Sequence, residues 1–275
     1  MPELVDMDGA TLQQAMALVH RYTGVTIAEG KKTMLQARLR TRMRRLQLAS
    51  YADYLDRLDE DTAERSHFID VVTTHQTSFF RTPRIWHYLR EHFLPAWADA
   101  HPGQTLRAWS AAASTGEEAC SLAISCEEFR RTRPGFEYEI FGSDISEEVL
   151  RQARAGVYEG TSVAPFRQTL PVLFERYNES GSPERFALPA ALRRRMRFET
   201  GNLMQAPPRQ PPFDLVLLRN VLIYFTPEDL AGIVRRVAGV LRPGGQLIIG
   251  ESESLSGQDL PFDFIQPQVY RLARP

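Results

Sequence analysis

The stretch Leu106-Arg-Ala-Trp-Ser-Ala-Ala-Ala-Ser-Thr-Gly-Glu-Glu118 constrains the fold of this chain more than any other. A run with strand propensity ends in small residues and a glycine, and a helix then begins. The next apolar run, Tyr138-Glu-Ile-Phe-Gly-Ser-Asp144, ends in a carboxylate. This is the layout of a nucleoside site at the carboxyl edge of a parallel sheet. There, small residues let backbone approach the ligand, and an acidic residue accepts hydrogen bonds from both ribose hydroxyls. The glycines do not spell G-x-G-x-x-G, and no glycine cluster is placed to cradle a pyrophosphate. A nucleoside without phosphates is therefore expected, and S-adenosylmethionine fits best.

From Leu106 onward, strands alternate with helices. Strand candidates are 106–111, 138–143, 196–200, 213–218, 246–250 and 268–273. A helix opens at Thr226-Pro-Glu-Asp, with a cap residue and proline at the first helical position. Leu241-Arg-Pro-Gly-Gly245 reads as a stop signal before the next strand. The alternation predicts an α/β fold: a doubly wound, mostly parallel sheet with helices on both faces. Residues 156–195 break the rhythm with Pro165, Pro171, Pro183 and Pro189, and read as an inserted subdomain. Residues 207–212, rich in proline, read as a stiff surface linker.

Residues 1–70 read as helices only. Leu12, Ala15, Met16 and Val19 repeat at helical spacing, Gly24 interrupts, and a second helix is expected over 29–48. Its apolar stripe is Leu35, Leu39, Met43 and Leu46, and Arg38, Arg42 and Arg45 align on another face. Ser50 is a cap candidate for a third helix, and a fourth covers 62–72. The only two lysines, Lys31 and Lys32, open the second helix, and no acidic residue occurs between Glu29 and Asp53. Such one-sided charge favours an acidic partner. No aromatic residue interleaves with the arginines to stack on bases.

With 43% hydrophobic and 24% charged residues, the composition is that of a soluble globular protein. No run approaches the ~20 apolar residues of a membrane span, and the N-terminus lacks the order of a signal peptide. A cytoplasmic protein without membrane insertion is expected. A net charge of −1 argues against nucleic acid as partner. Cys120 and Cys126 fall on different faces of one helix, so buried thiols are expected rather than a bridge. His67, His75, His87, His92 and His101 show no metal-ligand spacing, so no metal is expected.

Several strings together go further. They are Thr73-Thr-His-Gln-Thr-Ser-Phe-Phe-Arg81, Trp109-Ser-Ala-Ala-Ala-Ser-Thr-Gly-Glu-Glu118, Ser143-Asp-Ile145, Gly201-Asn-Leu203, Leu218-Arg-Asn-Val-Leu-Ile-Tyr-Phe225 and Leu241-Arg-Pro-Gly-Gly245. In this order they resemble the chemotaxis receptor-glutamate O-methyltransferases, the CheR family. The resemblance implies an N-terminal helical substrate-recognition domain (1–70), a linker contributing to the cofactor site (71–82) and a Rossmann-like methyltransferase domain (83–275). A small β-rich insertion lies at about 156–195. It also implies a cofactor site of Thr77, Arg81, Glu117 or Glu118, Asp144, Asn202, Leu203, Arg219 and Asn220. His75 stands where the family commonly has asparagine, and can still donate a hydrogen bond. The cofactor would be S-adenosyl-L-methionine and the product S-adenosyl-L-homocysteine. The partners would be the cytoplasmic acidic helices of chemoreceptors, met by Arg38, Arg42 and Arg45 of a monomer. Members that dock on a C-terminal receptor pentapeptide carry a glycine-rich turn in the insertion. Here 178–187 holds only Gly181, which predicts no such docking.

Other roles are open to these residues. Asp144 can cap a helix starting near Ser146, and Glu117 and Glu118 suit the first turn of any helix. Arg81 can grip a carboxylate by a fork of two hydrogen bonds, either the cofactor's or the substrate's. A glutamate side chain, with an ordinary pKa of ~4.3, is already anionic and needs no general base to accept a methyl group. Arg81 and Tyr224 are the catalytic candidates, as groups that orient the reactants. Two other classes compete: an RNA or small-molecule methyltransferase, and a non-catalytic receptor-binding module of the same fold. Against the former, the place of an N/D-P-P-Y/F string reads Arg219-Asn-Val-Leu222.

Overall fold

The computed structural model describes residues 6–207 and 212–273. The N-terminal stretch read for a leader falls mostly on 1–5, and the middle of the proline-rich linker is 208–211. Both lie outside the described residues.

Four helices come first. α1 (Gly9–Thr23) starts where the Asp8 carboxylate accepts from the Thr11 amide at 2.7 Å, and it ends at Gly24 in the left-handed conformation. α2 (Lys32–Leu46) follows a single 3-10 turn, α3 (Tyr51–Glu60) is capped by Ser50, and α4 (Thr62–Val72) by Asp61. As the spacing predicts, Leu35, Leu39 and Met43 of α2 are buried. They pack with Ala15, Val19, Tyr54, Leu58 and Phe68 in a cluster separate from the rest of the core.

A helical rod follows, α5 (Pro83–Tyr88) and α6 (Leu94–Ala100) joined by a π turn. The alternating part runs β1 (Thr105–Ser110), α7 (Glu117–Thr132), β2 (Glu137–Asp144) and α8 (Glu147–Ala155). The insertion holds β3 (Val157–Glu159), α9 (Val163–Thr169), α10 (Pro171–Tyr177), β4 (Arg185–Ala187) and α11 (Ala190–Arg193). Then come β5 (Met196–Thr200), β6 (Phe213–Leu218), α12 (Pro227–Ala238), β7 (Leu241–Ile249), β8 (Phe262–Gln266) and β9 (Val269–Leu272).

The sheet order is β5-β2-β1-β6-β7-β9-β8. The first five strands are parallel, and β9 runs antiparallel to both β7 and β8. The chain builds outward from β1 through β2 to β5, then restarts at β6 on the other side of β1. The β1–β6 boundary is thus the topological switch point, where a ligand crevice opens beyond the carboxyl ends. Alternate strand residues feed the two faces: Leu215 and Leu217 join the cluster under α5 to α11, Val216 and Leu218 the opposite one.

Three expectations change. β8 was not legible, because an edge strand is defined by its partner β9 rather than by its own pattern. Leu241–Gly245 does not end a helix ahead of the strand but forms the first half of β7. A register shift opposite Phe213 and Leu215 absorbs the glycines. At Gly245 a Cβ would lie 2.9 Å from the Arg242 carbonyl oxygen and 3.2 Å from that of Asp214, so the bulge has no room for a side chain. The insertion, expected to be β-rich, is mainly helical with one two-stranded ribbon of three residues a side. Its core is aromatic: Phe79 from the 73–82 segment stacks on Phe166 at 4.7 Å and meets Phe186 at 5.1 Å. The two sheet faces are also covered unequally. Among the described helices only α12 enters the second cluster.

Candidate functional site

A cleft of about 1170 Å³, counting its open mouth, lies beyond the carboxyl ends of β1, β2, β5 and β6. Three layers wall it: the strand ends, the segment Thr73–Arg81, and a roof from Thr23–Ile27, Lys31 and Met34. The left-handed Gly24 turns the chain down onto the sheet edge. A Cβ there would lie 2.3 Å from Met204 Cγ and 2.9 Å from Phe225 Cε1, so the roof fits closely only with glycine. The roof is fastened by the Thr26 amide on the Tyr224 carbonyl (2.8 Å) and by Asn202 Nδ2 on the Tyr22 carbonyl (2.9 Å).

Asp144 ends β2 at the floor and is buried. Its Oδ2 accepts from the Ser114 amide (2.9 Å) and its Oδ1 from the Ser146 amide (3.1 Å). Burial pushes its carboxyl above the ordinary value, and the Ser146 amide and His75 offset part of that rise. Each oxygen keeps a further lone pair. That is the acceptor set a vicinal diol requires. The cap of α8 is Ser146, so Asp144 is not that helix's cap.

The two adjacent glutamates part ways. Glu117 turns inward, buried, with its Oε2 receiving the Thr115 hydroxyl at 2.6 Å, and burial raises its pKa. Glu118 faces the cleft. It accepts from Ser110 Oγ (2.8 Å) and from Arg219 Nη1 (2.9 Å). Arg219 is buried. Its Nη2 donates to the Arg81 carbonyl at 2.9 Å, its guanidinium lies 5.9 Å from the Trp86 ring centroid, and its Nε has no partner in the structure. Gly116 does not serve ligand approach, as its motif suggested. Its missing Cβ makes room for Ala153 and the Tyr158 hydroxyl, each 2.8 Å away, and so lets α7 pack on α8.

Arg81, Thr77 and His75 line the cleft from the 73–82 segment, which bends through left-handed Phe80 and Thr82. Arg81 Nη1 touches only the Gln76 carbonyl (3.3 Å), and no carboxylate pairs with it among the described residues. Its fork is free for an anion. One nitrogen of His75 is committed within its own segment. The Thr73 hydroxyl donates to the Ile69 carbonyl (2.6 Å), so the 2.8 Å contact between that oxygen and His75 Nε2 must be donated by the ring. That leaves only Nδ1 of the ring for a ligand.

Asn202 and Leu203 both line the cleft. The Asn202 side chain is shared between Tyr22 and the Met204 amide (2.9 Å), leaving one N–H and one lone pair. Asn220 borders it in the left-handed conformation at φ 59°. Tyr224 sits in a single turn, Leu222–Tyr224, with the Lys31 ammonium 5.2 Å from its ring centroid. Lys31 was missed as a cleft residue. Its one signal was that the chain carries a lysine there and otherwise almost only arginine.

The three arginines expected to meet substrate are divided. Arg38 donates to the carbonyls of Val71, Val72 and Thr73 at 3.3, 3.2 and 2.9 Å, closing the end of α4. Arg42 grips Glu64 with both Nε (2.9 Å) and Nη2 (2.6 Å). Only Arg45 stays exposed, beside the exposed Arg44. Helical spacing put all three on one face, but α4 packs against that face and takes two of them.

Comparison with known proteins agrees with this geometry. Residues 75–271 match the family described as "CheR methyltransferase, SAM binding domain", and residues 10–73 match "CheR methyltransferase, all-alpha domain". The chain is 34% identical over 280 residues to the chemotaxis protein methyltransferase of Klebsiella aerogenes, covering 100% of this chain and 93% of that one. It is 33% identical over 280 residues to that of Salmonella typhimurium, covering 100% and 94%. To chemotaxis protein methyltransferase 1 of Pseudomonas aeruginosa it is 33% identical over 247 residues, covering 88% and 89%.

Proposed function

The chain belongs to the CheR methyltransferase family, and we propose that it esterifies glutamate side chains on the acidic cytoplasmic helices of chemoreceptors. The observation that carries this reading is a cleft with cations at hand: Lys31 and Arg81 line it, and no carboxylate pairs with Arg81 among the described residues. A substrate carboxylate is ionised at neutral pH and needs attraction and orientation rather than deprotonation.

S-adenosylmethionine supplies a methyl group on a positively charged sulfur and leaves as S-adenosylhomocysteine. The cleft residues fit it: Asp144 has two lone pairs for the ribose hydroxyls, and Arg81 and the unpaired Arg219 Nε offer donors for a carboxylate. Arg81 holds either the cofactor's carboxylate or the substrate's, and Tyr224 beneath Lys31 fixes the approach. Opposite charges vanish as the methyl moves, so water opposes the reaction. The roof of Thr23–Ile27 and Met34 excludes it.

In this reading residues 1–70 recognise the receptor, 71–82 bridge to the cleft, and 83–275 transfer the methyl group with an insertion at 156–195. Arg45, with Arg44 and Lys31, replaces the fuller arginine stripe as the contact for acidic helices. The protein acts as a cytoplasmic monomer and needs no C-terminal receptor pentapeptide. The test is incubation with methyl-labelled cofactor and receptor-bearing membranes, beside RNA and metabolite mixtures. Base-labile label on the receptor is expected. Label confined to RNA or metabolites, or none, would overturn the reading.

A further inference from the structure

One part-buried arrangement beside the cleft has no part in the contacts described so far. Beyond the ends of the neighbouring strands β6 and β7, three backbone N–H groups converge on one carboxylate. Glu253 Oε2 accepts from the Asn220 amide at 3.1 Å and also from the Gly250 amide, and Oε1 accepts from the Leu222 amide at 2.7 Å. The Glu253 amide in turn donates to the Gly250 carbonyl at 3.2 Å, so the acid sits in a turn of its own. The packing is tight. A Cβ on Gly250 would lie 2.7 Å from the Asn220 amide nitrogen, from Asn220 Nδ2 and from Glu253 Oε2.

The loop held this way is a wall of the cleft. Arg219, Asn220, Val221 and Tyr224 all line it, whereas Glu253 and Gly250 do not. Asn220 is left-handed at φ 59°, a conformation a non-glycine residue keeps only when its surroundings hold it. Leu222 opens the single turn that carries Tyr224. Removing the carboxylate would leave three amide donors without their acceptor and release both the Asn220 kink and the start of that turn.

Resting on the methyltransferase reading above, we propose that Glu253 is a positioning residue for methyl transfer: it fixes the Arg219–Tyr224 wall through three backbone amides without touching the reactants. Glutamine is a demanding probe. It keeps the shape but has one acceptor oxygen, and its NH₂ must face an amide N–H.

The experiment compares wild type, Glu253→Gln and Glu253→Ala as full-length chains, by titration calorimetry with S-adenosylhomocysteine, initial rates on receptor membranes and thermal unfolding. For Glu253→Gln the cofactor KM and the product Kd should rise about tenfold, as for one lost charge-assisted contact. The receptor KM should stay put and the fold should be retained. Glu253→Ala should lose more, and if it does not fold the glutamine variant decides alone. A merely structural role would lower the melting temperature or the active fraction and leave both KM values unchanged, and that result overturns the proposal. Failure of the wild-type chain to bind S-adenosylhomocysteine would overturn the cofactor assignment and this role with it.

Discussion

Two arginine–glutamate pairs sit in similar burial, one among the N-terminal helices and one at the cleft, and they differ in completeness. Arg42 and Glu64 close among the N-terminal helices. Two guanidinium nitrogens meet two carboxylate oxygens, and the Tyr54 hydroxyl adds a third bond at 3.0 Å. Burial pushes the Glu64 carboxyl up, but Arg42 and Tyr54 outweigh it and leave the pKa below the ordinary value. Arg219 and Glu118 meet through one nitrogen, with a second nitrogen on the Arg81 carbonyl and the third unpaired, beside an open cleft. A saturated pair holds architecture, whereas an unsaturated one keeps capacity for a ligand. Charge spacing in a sequence does not separate the two.

The contrast can be broken most forcefully at Arg42. Arg42→Ala strands a Glu64 side chain that is only 3% exposed, so unfolding free energy should drop by about 3–5 kcal/mol. Denaturant titration measures this, and the folded fraction should bind S-adenosylhomocysteine as the wild type does. Arg219→Ala should act mainly on turnover, lowering kcat/KM by about 2–4 kcal/mol in transition-state terms. A variant that unfolds as readily as Arg42→Ala yet turns over normally would erase the distinction. Asp144→Ala should weaken cofactor binding by about 1–3 kcal/mol through unpaired ribose hydroxyls. Unchanged affinity by calorimetry in the folded variant would remove Asp144 from the site.

A gentler probe is pH. Because the Glu64 pKa is lowered in the folded state, the pair's stabilisation is complete above the ordinary carboxylate pKa of ~4.3 and is lost as pH falls through the folded value. Thermal melts should therefore show the wild type losing stability between about pH 5 and 3 more steeply than Glu64→Gln. Equal slopes would mean that the pair does not differ in ionisation between folded and unfolded chains.

Sequence reading succeeded where the signal was local. The bounds of α4, the caps at Ser50 and Thr226, and the strand ending in Asp144 all follow from neighbours in the chain. It failed where a distant element decides. Arg38 and Arg42 looked free until α4 packed on them. One His75 nitrogen is committed to Thr73, a contact the spacing did not reveal. The strand β8 exists because β9 pairs with it, and Lys31 enters the cleft because Gly24 folds the roof downward. The adjacent Glu117 and Glu118 were indistinguishable in sequence. Helix rotation alone sends one to the insertion and the other to Arg219.

The most direct measurement is calorimetric titration of S-adenosylhomocysteine into Glu118→Gln and Glu64→Gln, run side by side. If the sheet edge is the cofactor site and the α2–α4 pair is architecture, Glu118→Gln should bind about five- to tenfold more weakly, as expected for a changed charge-assisted contact. Glu64→Gln, while folded, should match the wild type. Equal affinities for wild type and Glu118→Gln, or a loss confined to Glu64→Gln, would contradict that assignment.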